Sequence, residues 1–252
     1  MSNDNAVRDY AVRLGDDALI LGHRLSEWCS RAPFLEEDLA LANVALDYIG
    51  RARMFYSYAA ELSGEGYDED WFAFQRDCRD FSNTLIHELP RGDFAFSMAR
   101  QYLVDVYVVA FMRELQKSAD NTLAAIASKA IKESDYHLRR SADWMLRLGD
   151  GTDESQRRLQ EAVNELWGFT PELFEMDALE SDLAEAGIAV DTTALQASWE
   201  ATVRSTFSEA GITIPEEDWQ VSGGRQGKHT EWLGHILSEL QFVQRAYPGL
   251  EW

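Results

Sequence analysis

"EEDLALANVALDYIGRARMFYSYAAELSGEG", residues 36–66, is the stretch that decides the fold. Leu39, Ala42, Leu46, Ile49, Tyr56 and Ala60 follow a near-heptad seam, with Arg53 as its polar interruption. Only a helix brings residues three and four apart onto one face. Glu36, Glu37 and Asp38 crowd the first turn, where carboxylates meet the positive end of the helix dipole. A helix of about 25 residues or more is ~38 Å long, a length typical of bundles.

The flanking segments repeat the pattern. Upstream, Leu14, Ala18, Leu21, Leu25 and Trp28 form one apolar stripe on a helix predicted from about Val7 to Ser30, and Pro33 lies in the connection. Downstream, a shorter aromatic helix is predicted around Trp71 to Leu89, closed by Pro90 and Gly92. Asp93 caps a third long helix from Phe94 to about Lys117. A fourth runs from Thr122 to Leu148 and stops at Gly149-Asp150-Gly151. The last third reads as shorter helices near 153–167, 171–186 and 192–210, the second announced by Thr170-Pro171. A loop, "VSGGRQGKHT" (221–230), leads to a final helix through Tyr247. The five prolines fall between these segments, and no useful run alternates as a strand would. The expectation is a single all-α domain over 1–252. Its core is a long four-helix bundle at about 7–148, with additional C-terminal helices at about 152–247.

Composition removes several function classes. A net charge of −21 opposes any non-specific grip on nucleic acid or anionic lipid, since both need a positive field. The longest apolar runs, such as "YLVDVYVVAFM" broken by Asp105, fall short of the ~20 residues that span a bilayer. The start, "MSNDNAVRDYAVRLGDD", carries no basic segment followed by an apolar one, so no signal peptide is read and the expected location is cytoplasmic. The two cysteines, Cys29 and Cys78, are expected as buried free thiols.

A long four-helix core invites one chemical test. Carboxylate-bridged di-iron bundles take a Glu from each of two helices and Glu-x-x-His from each of the other two. Three residues before His23, His87, His137, His229 and His235 stand Ile20, Thr84, Ser134, Gln226 and Trp232. None is a carboxylate, so the usual ligand set is missing. Four-residue spacing does occur in His23/Glu27, Glu133/His137 and Glu231/His235, but such pairs on one helix face are more often hydrogen-bonded partners than ligands. Asp47 and Asp105 could face the same interior as Glu133 and His137. Asp105 sits among apolar neighbours in "YLVDVYVV" and needs a partner, with Arg53 or a histidine as candidates. His23, Glu27, Asp47, Asp105, Glu133 and His137 are therefore expected to form a polar interior without metal, and no catalytic residue is assigned. "SGGRQGKH" matches no phosphate-binding pattern and reads as a flexible or partner-contacting loop.

"LGDDALILGHRLSEWCSRAPFLEEDLALANVALDYIGRARMFYSYAAEL" closely resembles the non-catalytic ferritin-like subunit of the bacterial phenylacetyl-CoA epoxidases, also called ring 1,2-phenylacetyl-CoA monooxygenases. The resemblance continues through "ARQYLVDVY", "KAIKESDYHLRRSADWMLRLGDGTDES", "LWGFTPELF" and "GGRQGKHTEWLGHILSELQ" and covers essentially the whole chain. It implies a ferritin-like fold and a structural role beside a related di-iron catalytic oxygenase subunit that epoxidises the aromatic ring of phenylacetyl-CoA. It also implies a small accessory subunit, together with a reductase that holds FAD and an iron–sulfur centre and is fed by NADPH. No cofactor is expected on this chain. The competing expectation is a self-sufficient ferritin-like metal-binding oxidase, which the histidine spacing disfavours.

Overall fold

The computed structural model describes residues 3–216 and 219–250, and among these all regular structure is helical. The α-helices are α1 (Asn3–Ser26), α2 (Leu35–Ser63), α3 (Glu69–Phe74), α4 (Phe94–Leu115), α5 (Asn121–Gly149), α6 (Asp153–Leu166), α7 (Ala178–Glu185), α8 (Gln196–Glu209), α9 (Glu231–Leu240) and α10 (Phe242–Ala246). The four long helices fall where the periodicity puts them. The chain divides into two compact units, Met1–Pro90 with Ser222–Trp252, and Arg91–Val221.

In the first unit α1 and α2 pack as an antiparallel pair. Gly15 and Gly22, seven residues apart on one face of α1, permit the close approach. A Cβ on Gly15 would stand 2.4 Å from Tyr56 Cε1, and one on Gly22 would stand 3.2 Å from the Ala45 carbonyl oxygen. The face of α2 turned to the core carries Leu41, Val44, Ala45, Tyr48, Phe55 and Tyr56. This corrects the predicted seam: Leu39, Leu46 and Ile49 are 58%, 64% and 38% exposed. α2 is apolar on two faces. The face holding the aromatic rings is the buried one, as their larger apolar area favours.

The aromatic helix expected to reach Leu89 ends instead at Phe74, after which the chain makes only single 3-10 turns at Cys78–Asp80 and Leu85–His87. Two carboxylates of α1 compete for its backbone donors. Asp16 Oδ2 accepts from Ser82 N at 2.8 Å, and Asp17 Oδ1 accepts from Thr84 N at 2.8 Å. α10 then closes over the end of α3, where Arg245 donates to the carbonyls of Phe74, Gln75 and Arg76.

In the second unit α4 is buried round nearly its whole circumference, and α5, α6 and α8 are its neighbours there. Asp93 caps it by accepting from Phe96 N at 2.9 Å. The Trp199 indole on α8 donates to the Leu103 carbonyl at 2.9 Å. Thr170-Pro171 opens only a 3-10 turn, Pro171–Phe174, and α7 begins later, where Asp177 accepts from Glu180 N. Cys29 is exposed and Cys78 half-buried; both are free thiols, so the expected burial fails while the absence of a bond between them holds.

Candidate functional site

The six candidate residues fall three in each unit. In Arg91–Val221, Asp105 on α4 is fully buried. Gln101, one turn earlier, donates to its Oδ1 at 2.7 Å, and Ser141 of α5 donates to its Oδ2 at 2.8 Å. Ser134, His137 and Ser141 lie on one buried stripe of α5, while Glu133 is half-buried beside it. Ser134 Oγ donates to the Ala130 carbonyl at 2.9 Å, so the position three before His137 offers a hydroxyl committed to its own helix. The Arg53 partner expected for Asp105 is corrected by the structure, because Arg53 lies exposed and donates to Glu69 at 2.9 Å.

In the first unit His23 lies near the end of α1. Burial pushes its imidazole below the ordinary value, and Glu27 opposes that shift. Glu27 Oε1 accepts from Arg24 Nη1 at 2.6 Å, which makes it an arginine's partner. Arg24 is itself held by the Glu88 carbonyl at 2.7 Å. Asp47 is half-buried on α2. Among the described residues no three His, Cys, Asp or Glu side chains gather so as to hold a metal ion. Gln101 and Ser141 bring an amide and a hydroxyl to Asp105, and neither is a usual iron ligand.

The densest polar chemistry lies elsewhere, in three carboxylates outside the reach of histidine spacing. Asp16 is fully buried and accepts from the Tyr56 hydroxyl at 2.6 Å, from Ser82 N and Oγ, and from Arg76 in a bidentate pair. Burial alone would lower the Arg76 guanidinium, but Asp16 and Tyr56 outweigh it and raise it. Its cation also stands 4.2 Å from the Phe81 ring centroid. Asp17 accepts from Arg225 Nη2 at 2.8 Å and lies 3.2 Å from His87 Nδ1. Burial would raise its carboxyl, yet Arg225 and His87 hold it well below the usual carboxylate range.

Glu88, fully buried, accepts from Asn83 Nδ2, from Thr230 N and Oγ1, and faces His229 Nδ1 at 2.8 Å. The other nitrogen of His229 faces the Phe81 carbonyl at 2.8 Å. Both neighbours are acceptors, so only the doubly protonated ring satisfies both. Burial would lower this imidazole, and the bond and charge of Glu88 raise it instead. The loop 221–230, expected to be flexible or partner-contacting, is pinned at Arg225, His229 and Thr230. The sequence signal for this network was available as adjacent aspartates in an otherwise apolar run, "LGDDALILG".

The arrangement is structural chemistry, in which charges are neutralised pairwise and backbone donors satisfied. Known proteins are similar to this chain over its full length. The Phenylacetic acid catabolic protein family matches residues 1–252, and the chain is 53% identical over 248 residues to the C-type subunit of 1,2-phenylacetyl-CoA epoxidase from Escherichia coli (strain K12). The chain belongs to that family. Its all-helical build is the ferritin-like fold of the family. The alignment to this relative covers 98% of the chain and 100% of the relative. The A-type subunit of the same E. coli enzyme is 27% identical over 140 residues, covering 56% of this chain and 44% of that protein. Phenylacetic acid catabolic proteins thus include two related components of one enzyme. No described helix here is long and apolar enough to cross a membrane.

Proposed function

We propose that this chain is the structural subunit of a multicomponent monooxygenase that epoxidises the aromatic ring of phenylacetyl-CoA during aerobic phenylacetate breakdown. The observation that carries the reading is 53% identity along the whole of the C-type E. coli relative. It is supported by the chain's own residues: Asp105 is occupied by Gln101 and Ser141, and Ser134 stands where a carboxylate would have to be. The partner is a related ferritin-like oxygenase subunit that bears the di-iron centre, and its iron pair supplies the oxygen chemistry. This chain contributes no ligand and no proton relay. Its role is to present a fixed helical surface to the catalytic partner, stiffened from within by the Asp16–Arg76 and Glu88–His229 pairs. The proposed system is completed by a small accessory subunit, with a reductase that holds FAD and an iron–sulfur centre and draws on NADPH.

The test is to purify this chain alone and together with its A-type homologue, then measure iron content and phenylacetyl-CoA-dependent NADPH oxidation with the reductase present. Iron and turnover should be found only when the partner is present. Iron near two atoms per chain in the isolated protein would establish the self-sufficient oxidase instead.

A further inference from the structure

α2 carries an apolar seam that its own unit leaves largely in solvent, although Ile49 at its far end packs against Gly22 of α1. Leu35, Leu39, Leu46 and Ile49 are 72%, 58%, 64% and 38% exposed, with the half-buried Ala42 between them. The spacing 35-39-42-46-49 alternates four and three, the repeat by which one helix packs along another. Continuing it by four residues reaches Arg53, so the seam runs ~27 Å along the helix axis at 1.5 Å per residue. Phe34, 59% exposed, widens its start. Beside its far end lies a cavity of about 290 Å³ that Ile49 shares with Leu19, Ala52, Tyr56 and Phe74, and with the charged Arg53, Glu69 and Asp70. Scattered surface leucines need no explanation, but a contiguous, heptad-spaced row does.

We infer that this seam is the docking face for one helix of the related A-type partner, packed in coiled-coil fashion, with a bulky apolar side chain entering the cavity beside Ile49. The inference rests on the proposed structural role in the epoxidase. Three observations select this occupant. The periodicity calls for a helix rather than a loop, strand or lipid surface. The A-type E. coli relative is similar to this chain over 140 residues, so it carries helices of the same kind. Charge disfavours a second copy: each chain carries −21, and the exposed Glu36 and the half-buried Asp38 border the seam's start. In an antiparallel self-pair centred on the seam, those acids would meet the Gly50–Arg53 turn, where Arg51 is buried and Arg53 is already paired with Glu69. A partner helix with Lys or Arg flanking its apolar row satisfies them.

The experiment co-expresses this chain with its A-type homologue, one of them tagged. It compares the wild type with Leu39→Glu, Leu46→Glu and, as an exposed apolar control on α10, Phe242→Glu. Each variant is first checked for unchanged helicity and thermal midpoint, which is expected because these side chains are already in solvent. The expected result is a loss of affinity of at least about 100-fold for Leu39→Glu and Leu46→Glu, and under threefold for Phe242→Glu. Wild-type binding that survives both seam variants would overturn the docking face and leave the structural role standing. Failure of the wild type to bind would overturn both. If the seam variants dissociate a homodimer of this chain alone and leave pairing with the homologue intact, the occupant is a second copy and the inference is wrong.

Discussion

Asp16 shows how much one buried carboxylate can organise. It joins Tyr56 of α2, Arg76 beyond α3 and the backbone of Ser82, and it lies fully buried. Removing one member of such a pair leaves an uncompensated charge inside, so Asp16→Ala is expected to cost about 3–5 kcal/mol in urea denaturation. His229 has a pKa raised from 6.5 by the partners that face both its nitrogens. Its contribution to stability is complete below pH 6.5, where the ring is protonated in folded and unfolded chains alike. It fades as pH rises through the raised folded value. Denaturation from pH 6 to 9 should therefore show stability falling with pH more steeply for wild type than for His229→Gln. Asp17 has the opposite sign. Its pKa is lowered from 3.8, so its contribution is present above that value and disappears as pH falls below it. An Asp17→Asn protein should lose less stability on acidification from pH 5 to 3. None of these roles follows from the spacing of histidines, because the partners are 40 to 208 positions apart in the chain.

Among elements, the strap 223–230 and helix α2 depart furthest from what their sequences suggest. Three glycines in eight residues suggest freedom, yet Gly227 is held at φ +70, and a Cβ there would stand 2.5 Å from the Arg79 carbonyl oxygen. Its glycine serves close approach as well as turn geometry. Gly227→Ala adds a steric conflict to the roughly 1–2 kcal/mol that a left-handed alanine costs. Amide exchange in 224–230 should accelerate at least tenfold, with little change in α4 or α5. On α2 the periodicity was legible and its direction was not. Two apolar sets share the helix, 41/44/45/48/52/55/56/59 and 35/39/42/46/49, and a sequence does not say which faces the core. The Gly15 and Gly22 surface of α1 fits against the first set and the inner edge of Ile49, and leaves Leu35, Leu39 and Leu46 in solvent.

At the scale of the whole molecule the charge of −21 acts as a distributed strain. Like charges repel over roughly the Debye length, ~10 Å at 0.1 M salt, so screening favours the folded chain. Raising NaCl from 0.02 to 0.3 M is expected to lift the thermal midpoint of the isolated protein by a few degrees. The sequence alone determined the all-helical class, the four long helices, the Asp93 cap and the absence of Glu-x-x-His, because these depend on residues within a turn or two of each other. Tertiary structure decided the rest. It showed that Asp105 is satisfied by Gln101 and Ser141, that Arg53 is a surface residue, and that a glycine-rich loop is a strap over Asp17 and Glu88. Local spacing fixes what a helix can present, whereas burial and ion pairing depend on which distant segment arrives to cover it.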